Sequence, residues 1–388
     1  MNEVSRDLVQ LSAPLQNSVI KCSEVAGLYA EEVDRESRFP IEAVEAIRKE
    51  RLLSCAVPAG LGGMGLSIKQ LGYICFELGS RCASTAMIFA MHQSQLLTVL
   101  RHASRSPIMR DFIGDCCDHQ FLIASATSER GVRGSIRSSV ASFEIKDDHL
   151  SLEKDCPTIS YGEFADAILV TANLQTSEQA SIQKLALLGR GEYKLVRTVE
   201  WDALGMRGTC SHGFRLSAAS SRKAILEEEF RLVSAKTMTP VAHILWASVW
   251  RGIAYRSAET ARKLFQGGMR SRKEVRLSDA RLSAMSTNLN AMAAVAESAA
   301  DRFLGAGDTL PGAKEVIMIN DVKLIASSLA LDVCIDAMKY CGMAGYLNTS
   351  KYSVGRNLRD IVSAPLMISN DAISEINSAL LMVGGASV

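Results

Sequence analysis

No charge of one sign dominates this chain: 43 Lys and Arg stand against 42 Asp and Glu in 388 residues. That balance removes the bulk attraction that gathers nucleic acid or an anionic membrane, so neither is an expected partner and a small neutral or locally charged ligand is. Missing too is an unbroken apolar run long enough for a membrane helix. The N-terminus, with Glu3, Arg6 and Asp7 close together, lacks the basic-then-apolar order of a secretory leader. A soluble, cytoplasmic protein is expected. The ten cysteines include no CxxC pair and no regular spacing against histidine, so neither a disulfide framework nor a metal site is expected and the thiols should be reduced. Adjacent Cys116 and Cys117 allow a vicinal disulfide, but two small apolar residues near a helix end is the commoner meaning. Internal repeats, low-complexity tracts and flexible linkers are absent as well, and the chain is long enough for two or three domains packed as one body.

Three patterns of residues follow one another. Over residues 1–118 apolar side chains recur every three or four positions, as in Leu8, Leu11 and Leu15 and again in Ile68, Leu71, Ile74, Cys75 and Leu78, which predicts a helical domain. One interruption, Val57-Pro-Ala-Gly-Leu-Gly-Gly-Met-Gly-Leu-Ser67, forces irregular backbone before a helix that Ser67 would cap. Over 119–230 short β-branched and apolar runs (Phe121–Ile123, Ala167–Thr171, Phe214–Leu216) alternate with Gly, Ser and Asp clusters, predicting an antiparallel β domain. Over 231–388 helical spacing returns, with Val241, Ile244, Leu245, Val249 and Ile253 on one face and with breaks expected at Gly267-Gly268 and at Leu304-Gly-Ala-Gly307.

Near the C-terminus stand Gly342-Met-Ala-Gly-Tyr346, Asn357-Leu-Arg-Asp360 and Ile361-Val-Ser-Ala-Pro-Leu-Met-Ile-Ser-Asn-Asp-Ala-Ile373. This order resembles the closing signature of the acyl-CoA dehydrogenase superfamily, in which a GGxGY-type turn precedes an Arg-Asp pair and a catalytic Glu follows eight residues later. Other stretches agree in order. Val57–Ser67 is similar to that family's V-P-x-x-x-G-G-x-G loop. Ala124–Ser135 is similar to its T-E-P-G-A-G-S-D strand and turn, with Ser128 in the Thr place and one residue inserted. Ile159–Asp166 and Leu204–Thr209 resemble its I-T-N-G-x-x-A-D and L-G-x-R-x-T strands. The resemblance implies an α+β, mostly α fold with an N-terminal helical domain, a β-barrel-like middle and a C-terminal four-helix bundle, assembled as a homodimer or homotetramer.

It also implies FAD. Thr127, Ser128 and Ser160 would hold the isoalloxazine ring, and short hydroxyl donors suit the ring's N1, O2 and N5. The family's R-x-x-F-G motif is not intact; Gly267-Gly-Met-Arg-Ser-Arg-Lys273 occupies its region, making Arg270 or Arg272 the candidates for the pyrophosphate. Gly342 would admit the adenine half of a partner subunit's FAD. Gly134-Ser135 would face the pantetheine or acyl carbonyl, and Met91-His92 or Trp250 would line the acyl channel.

The base is what departs. Eight residues past Asp360 stands Ile368, which cannot take a proton, with Ser369-Asn370 in place of Gly-Thr. A minority of the family carries Glu on the first long C-terminal helix about ten residues before a G-I-A sequence. Counting back from Gly252-Ile-Ala254 reaches Ala242, beside His243, with Trp246 and Trp250 on the same helical face. His243 is therefore one candidate base, against the ordinary reading of a satisfied core histidine. Asp371, one turn past Ile368, is the other, against the reading that Ser369-Asn370-Asp371 caps the last helix. Glu227-Glu-Glu229 reads as a solvated charge run. The implied activity is FAD-dependent oxidation at the Cα–Cβ bond of an acyl thioester on CoA or a carrier protein, with a flavoprotein or oxygen as electron acceptor. The alternatives are a flavin monooxygenase of the same fold, a non-redox reaction, and a non-catalytic paralogue that binds a partner subunit.

Overall fold

The computed structural model describes residues 11–103, 107–132, 139–175, 181–271 and 279–383. Helices come first: α1 (Ala13–Glu36), α2 (Ile41–Lys49), α3 (Ile68–Gly79), α4 (Ala83–His102) and α5 (Pro107–His119). Helix α3 starts where its sequence says: Ser67 Oγ accepts from the Gln70 amide while Gln70 Oε1 accepts from the Ser67 amide at 2.9 Å, a reciprocal cap. Ile68, Leu71, Ile74, Cys75 and Leu78 are all buried. Helix α4 is buried nearly all round and forms the centre of this part. Cys116 and Cys117 are free, buried thiols, as two small apolar residues would be.

Seven strands follow among the described residues: β1 (Ile123–Ala126), β2 (Glu144–Lys146), β3 (His149–Cys156), β4 (Ala167–Gln175), β5 (Ser181–Gly189), β6 (Tyr193–Val199) and β7 (Gly213–Ser221). They form two sheets, in the orders β1-β4-β5 and β2-β3-β7-β6. The expected all-antiparallel pairing fails at one place: β1 and β4 run parallel, Ile123 opposite Ala167. The long intervening excursion through β2 and β3 supplies the crossover that a parallel pair needs. Strand β3 alternates strictly and turns Leu150, Leu152, Lys154 and Cys156 inward. The inward Lys154 is met by the carbonyls of Ala126 (3.0 Å) and Thr171 (2.7 Å) and by the Glu129 carboxylate at 3.7 Å. Two stretches that resembled strands, 159–166 and 204–209, are turns instead, with Tyr161, Met206 and Cys210 in left-handed backbone. Turns suit sites, because they point consecutive amides and hydroxyls the same way.

From Phe230 the chain is helical again: α6 (Phe230–Val233), a π turn over Ser234–Met238, then α7 (Thr239–Ser271), α8 (Ala280–Gly305), α9 (Ala313–Cys341), α10 (Met343–Tyr346), α11 (Gly355–Ile361) and α12 (Asn370–Val383). Helix α7 buries the predicted face, Val241, Ile244, Leu245, Val249 and Ile253, and packs on α3, α8 and α9. No break occurs at Gly267-Gly268; α7 runs through to Ser271. Two glycines cost about 1 kcal/mol each in a helix, which packing over 33 residues outweighs. The break at Leu304–Gly307 is real: α8 stops at Gly305 and Gly307 has φ +54°. No helix among the described residues is long and apolar enough to cross a membrane.

The Arg359-Asp360 pair ties the three parts together. Arg359 pairs with Asp34 of α1 and donates to the Leu204 carbonyl at 3.1 Å, and the buried Asp360 accepts from the Met206 amide at 2.6 Å. Its burial, opposed by the Arg356 charge, raises the Asp360 carboxyl to about 6.

Candidate functional site

Two groups of predicted residues come together in space. The first is a run of hydroxyls at the edge of the β domain. Ser128 Oγ donates to the Thr158 carbonyl at 2.8 Å, which brings the turn after β1 against the Thr158–Ser160 segment. Ser160 Oγ pairs with Ser211 Oγ at 2.8 Å, Ser211 with Thr209 Oγ1 at 2.8 Å, and Thr209 donates to the Met206 carbonyl at 2.9 Å. Thr127, Ser128 and Ser160 are half-buried. A hydroxyl ledge of this kind fits the polar edge of a flavin ring, which needs short, adjustable donors. Ser135 and Arg272 lie outside the described residues, and of Arg270 only its place in α7 is described. Gly342 ends α9 at φ +55°, ψ −138°, a backbone state open to glycine alone, and a Cβ there would meet nothing within 4 Å.

The second group is on α7 and α9. His243, Trp246 and Trp250 share one buried face, with ring centroids 6.2 Å apart from His243 to Trp246 and 6.2 Å from Trp246 to Trp250. His243 Nδ1 lies 3.0 Å from the Ile319 carbonyl. A carbonyl only accepts, so Nδ1 carries the proton and Nε2 keeps a bare lone pair. Among the described residues Nε2 and the indole Nε1 atoms of Trp246 and Trp250 have no partner. Burial, with a smaller contribution from the Lys323 charge, lowers His243 to about 4.

Lys323 of α9 was not singled out from sequence. It is fully buried with no carboxylate partner among the described residues, donates to the Ile368 carbonyl (2.8 Å) and to Asn370 Oδ1 (2.5 Å), and lies 6.0 Å from the Trp250 ring centroid. Burial brings its pKa down to about 8. A lone Lys among the apolar residues of α9, Ile319, Val322, Ala326 and Ala330, was the available signal. The carbonyl it holds belongs to a strained residue: Ile368 has φ +47°, which a β-branched side chain tolerates at a cost of about 1–3 kcal/mol.

Several sequence expectations change here. Ile368 and Asp371 do not share a helical face, because Ile368 is left-handed and α12 begins only at Asn370; Asp371 is exposed in its first turn. Ser369 Oγ accepts from the Ala372 amide, whereas the Asn370 side chain turns inward to Lys323 and Ser327. His92 is not free to line a channel: Nε2 lies 2.8 Å from the Leu53 carbonyl and Nδ1 accepts from the Ile123 amide at 3.0 Å. Glu228 is not a solvated charge, since it pairs with His102 and, at 2.9 Å, with Lys236.

The two buried histidines set an acid limit. Burial lowers both His92 and His243 to about 4 from an ordinary 6.5. The folded state therefore binds fewer protons than the unfolded chain between these values, so the stability from each is complete above pH 6.5 and is lost as pH falls towards 4. Acidification through this range costs about 3 kcal/mol of stability per histidine. Urea midpoints should fall steeply from pH 7 to pH 4.5, and less so in His92→Gln.

The comparisons agree with this architecture. The family model for the acyl-CoA dehydrogenase N-terminal domain matches residues 21–108. A cyclohex-1-ene-1-carbonyl-CoA dehydrogenase of Syntrophus aciditrophicus is 25% identical over 93% of this chain and 86% of its own length. The amino sugar nitrososynthase DnmZ of Streptomyces peucetius is 24% identical over 86% of this chain and 84% of its own. The structure of FMN-bound TdsC from Paenibacillus sp. A11-2 superposes with a TM-score of 0.81, covering 96% of this chain and 98% of that one at 16% identity. The fold is acyl-CoA dehydrogenase-like: helical, then β, then a helical bundle. The chain is similar to the acyl-CoA dehydrogenase superfamily in its N-terminal domain, in these relatives and in its fold.

Proposed function

We propose that this protein is a flavin-dependent oxidoreductase that acts at the Cα–Cβ bond of an acyl thioester carried by CoA or a carrier protein, with His243 as the base. The observation that carries the reading is the bare, buried Nε2 of His243, set by the Nδ1 bond to the Ile319 carbonyl. The Thr127, Ser128 and Ser160 ledge would hold the flavin, and the flavin, when bound, would supply the two-electron acceptor for a hydride leaving Cβ. The protein's own part is proton chemistry and positioning: His243 Nε2 takes the Cα proton, the indole N–H groups of Trp246 and Trp250 offer donors to an acyl oxygen, and Lys323 fixes the 368–370 loop. Two-electron reoxidation then falls to a flavoprotein or to oxygen. The Syntrophus relative, named as a cyclohex-1-ene-1-carbonyl-CoA dehydrogenase, supports this substrate class.

One observation favours a second reading, a flavin monooxygenase. Ile368 removes the carboxylate that thioester oxidation ordinarily uses, and both a nitrososynthase and an FMN-bound structure stand among the similar proteins. The anaerobic visible spectrum separates the two. Bleaching of the oxidised flavin band on adding acyl thioesters supports the dehydrogenase reading, and release of the cofactor for mass analysis distinguishes FAD from FMN. A flavin that binds yet stays oxidised until a reductase is supplied supports oxygenation. Failure to bind either flavin after reconstitution would remove both and leave a non-catalytic paralogue.

A further inference from the structure

A cavity of about 730 Å³ lies between α1, the second half of α7, α11 and the loop that precedes α11. Every side chain on its wall is polar or charged, so an acyl chain has nothing there to pack against. Six cations line it, Arg35, Arg207, Arg256, Arg356, Arg359 and Lys351, in a chain whose net charge is only +1. Glu31 and Asp34 are the carboxylates on the wall, and both are taken, by Arg356 at 3.0 Å and by Arg359. Arg35 pairs with Glu36 and Arg207 with Asp202.

Arg256 is left over. Among the described residues no carboxylate lies within ion-pair distance of it, and its near neighbours include Arg81 and Arg356. Burial first, and then the charges of those two arginines, push its pKa down. The carboxylate that acts on it, Glu259, is already held by both ends of the Arg262 guanidinium at 2.7 Å. A guanidinium does not deprotonate in proteins, and a half-buried one beside two like charges is stable only if an anion answers it. Oxygen-rich anions match its fork geometry, and the hydroxyl and amide groups of Ser350, Ser353 and Asn348 on the same wall supply further donors.

We infer that this cavity is a binding site for a phosphate group, centred on Arg256 and backed by Arg356 and Lys351, separate from the His243 face and the hydroxyl ledge. Its volume exceeds what one inorganic phosphate fills and lies within the ~300–1,000 Å³ of small-molecule sites, which favours a phosphorylated small molecule such as a nucleoside diphosphate over the free ion. None of Thr127, Ser128, Ser160 and His243 is on its wall, so the inference stands whether or not the flavin reading does.

The test is calorimetric titration of the full chain, as purified, with ADP, inorganic phosphate and adenosine at low and at raised salt. ADP should bind with a single-site, salt-sensitive isotherm, phosphate more weakly and adenosine not at all. Arg256→Gln should weaken ADP at least tenfold, the loss of one charge-assisted pair, without changing flavin content. Lys351→Gln, at an exposed residue with no ion pair among the described residues and whose change does not threaten folding, should weaken it several-fold and covers the case in which Arg256→Gln does not fold. Phosphate binding as tightly as ADP would keep the site and make the free ion its ligand. No binding of either anion, or equal binding by wild type and both variants, overturns the inference.

Discussion

His243→Gln should slow anaerobic flavin reduction by an acyl thioester by roughly 10²–10⁴-fold, the range lost with a general base, while leaving flavin content and the unfolding midpoint near their wild-type values. Glutamine can keep the N–H donor to the Ile319 carbonyl but has no basic lone pair, so the change isolates proton removal from packing. At a pKa of about 4, Nε2 has about the basicity of the Glu it would replace. It is unprotonated through the neutral range, and Lys323 opposes a lasting imidazolium, which favours prompt proton release after the step. Bleaching at the wild-type rate in His243→Gln would remove the base assignment and direct attention to Asp371→Asn. A wild-type rate in both variants would point to solvent as the acceptor of the proton.

Gly252→Ala should destabilise the protein by about 3 kcal/mol, at the upper end of overpacking costs, although alanine is the better helix former. Gly252 sits where α7 crosses α3 at backbone contact. A Cβ there would strike the Phe76 carbonyl and lie 2.8 Å from the Ser80 amide and 2.9 Å from the Gly79 carbonyl carbon. All three are backbone atoms, which cannot step aside as a side-chain tip can, so the helices must separate. A Cβ on Gly79 would likewise lie 2.6 Å from the Val249 carbonyl oxygen, so the crossing has no slack on either side. Because His243 is about 13 Å back along the same helix, the displacement should also lower the reduction rate. Equilibrium denaturation measures the first effect and stopped-flow bleaching the second. An unchanged denaturation midpoint would show that the crossing relaxes.

The fold was legible because its signals are local. Ser67 and Gln70 announce the start of α3, the Val241–Ile253 stripe announces the buried face of α7, and Gly307 marks a true break. What misled was local preference that packing overrode: Gly267-Gly268 inside α7, a parallel β1–β4 pair within a region that read as antiparallel, and two presumed strands that are turns. Of the candidate site, the grouping of His243 with Trp246 and Trp250 follows from helical spacing, and the approach of Ser128 to the Thr158–Ser160 segment from the order of motifs.

The sequence by itself determined the three-part order, the helical faces and the apolar Ile368 eight residues past Asp360, since each depends on residue type and on spacing along the chain. Tertiary structure alone decided which His243 nitrogen is free, that Lys323 grips the strained Ile368 carbonyl, that His92 is saturated and that Arg256 has no carboxylate partner among the described residues. Those are pairings between residues 31 to 76 positions apart, or the failure of such pairings. Periodicity carries no record of them, because a hydrogen bond or an unanswered charge is a property of what two elements bring within about 3 Å of each other.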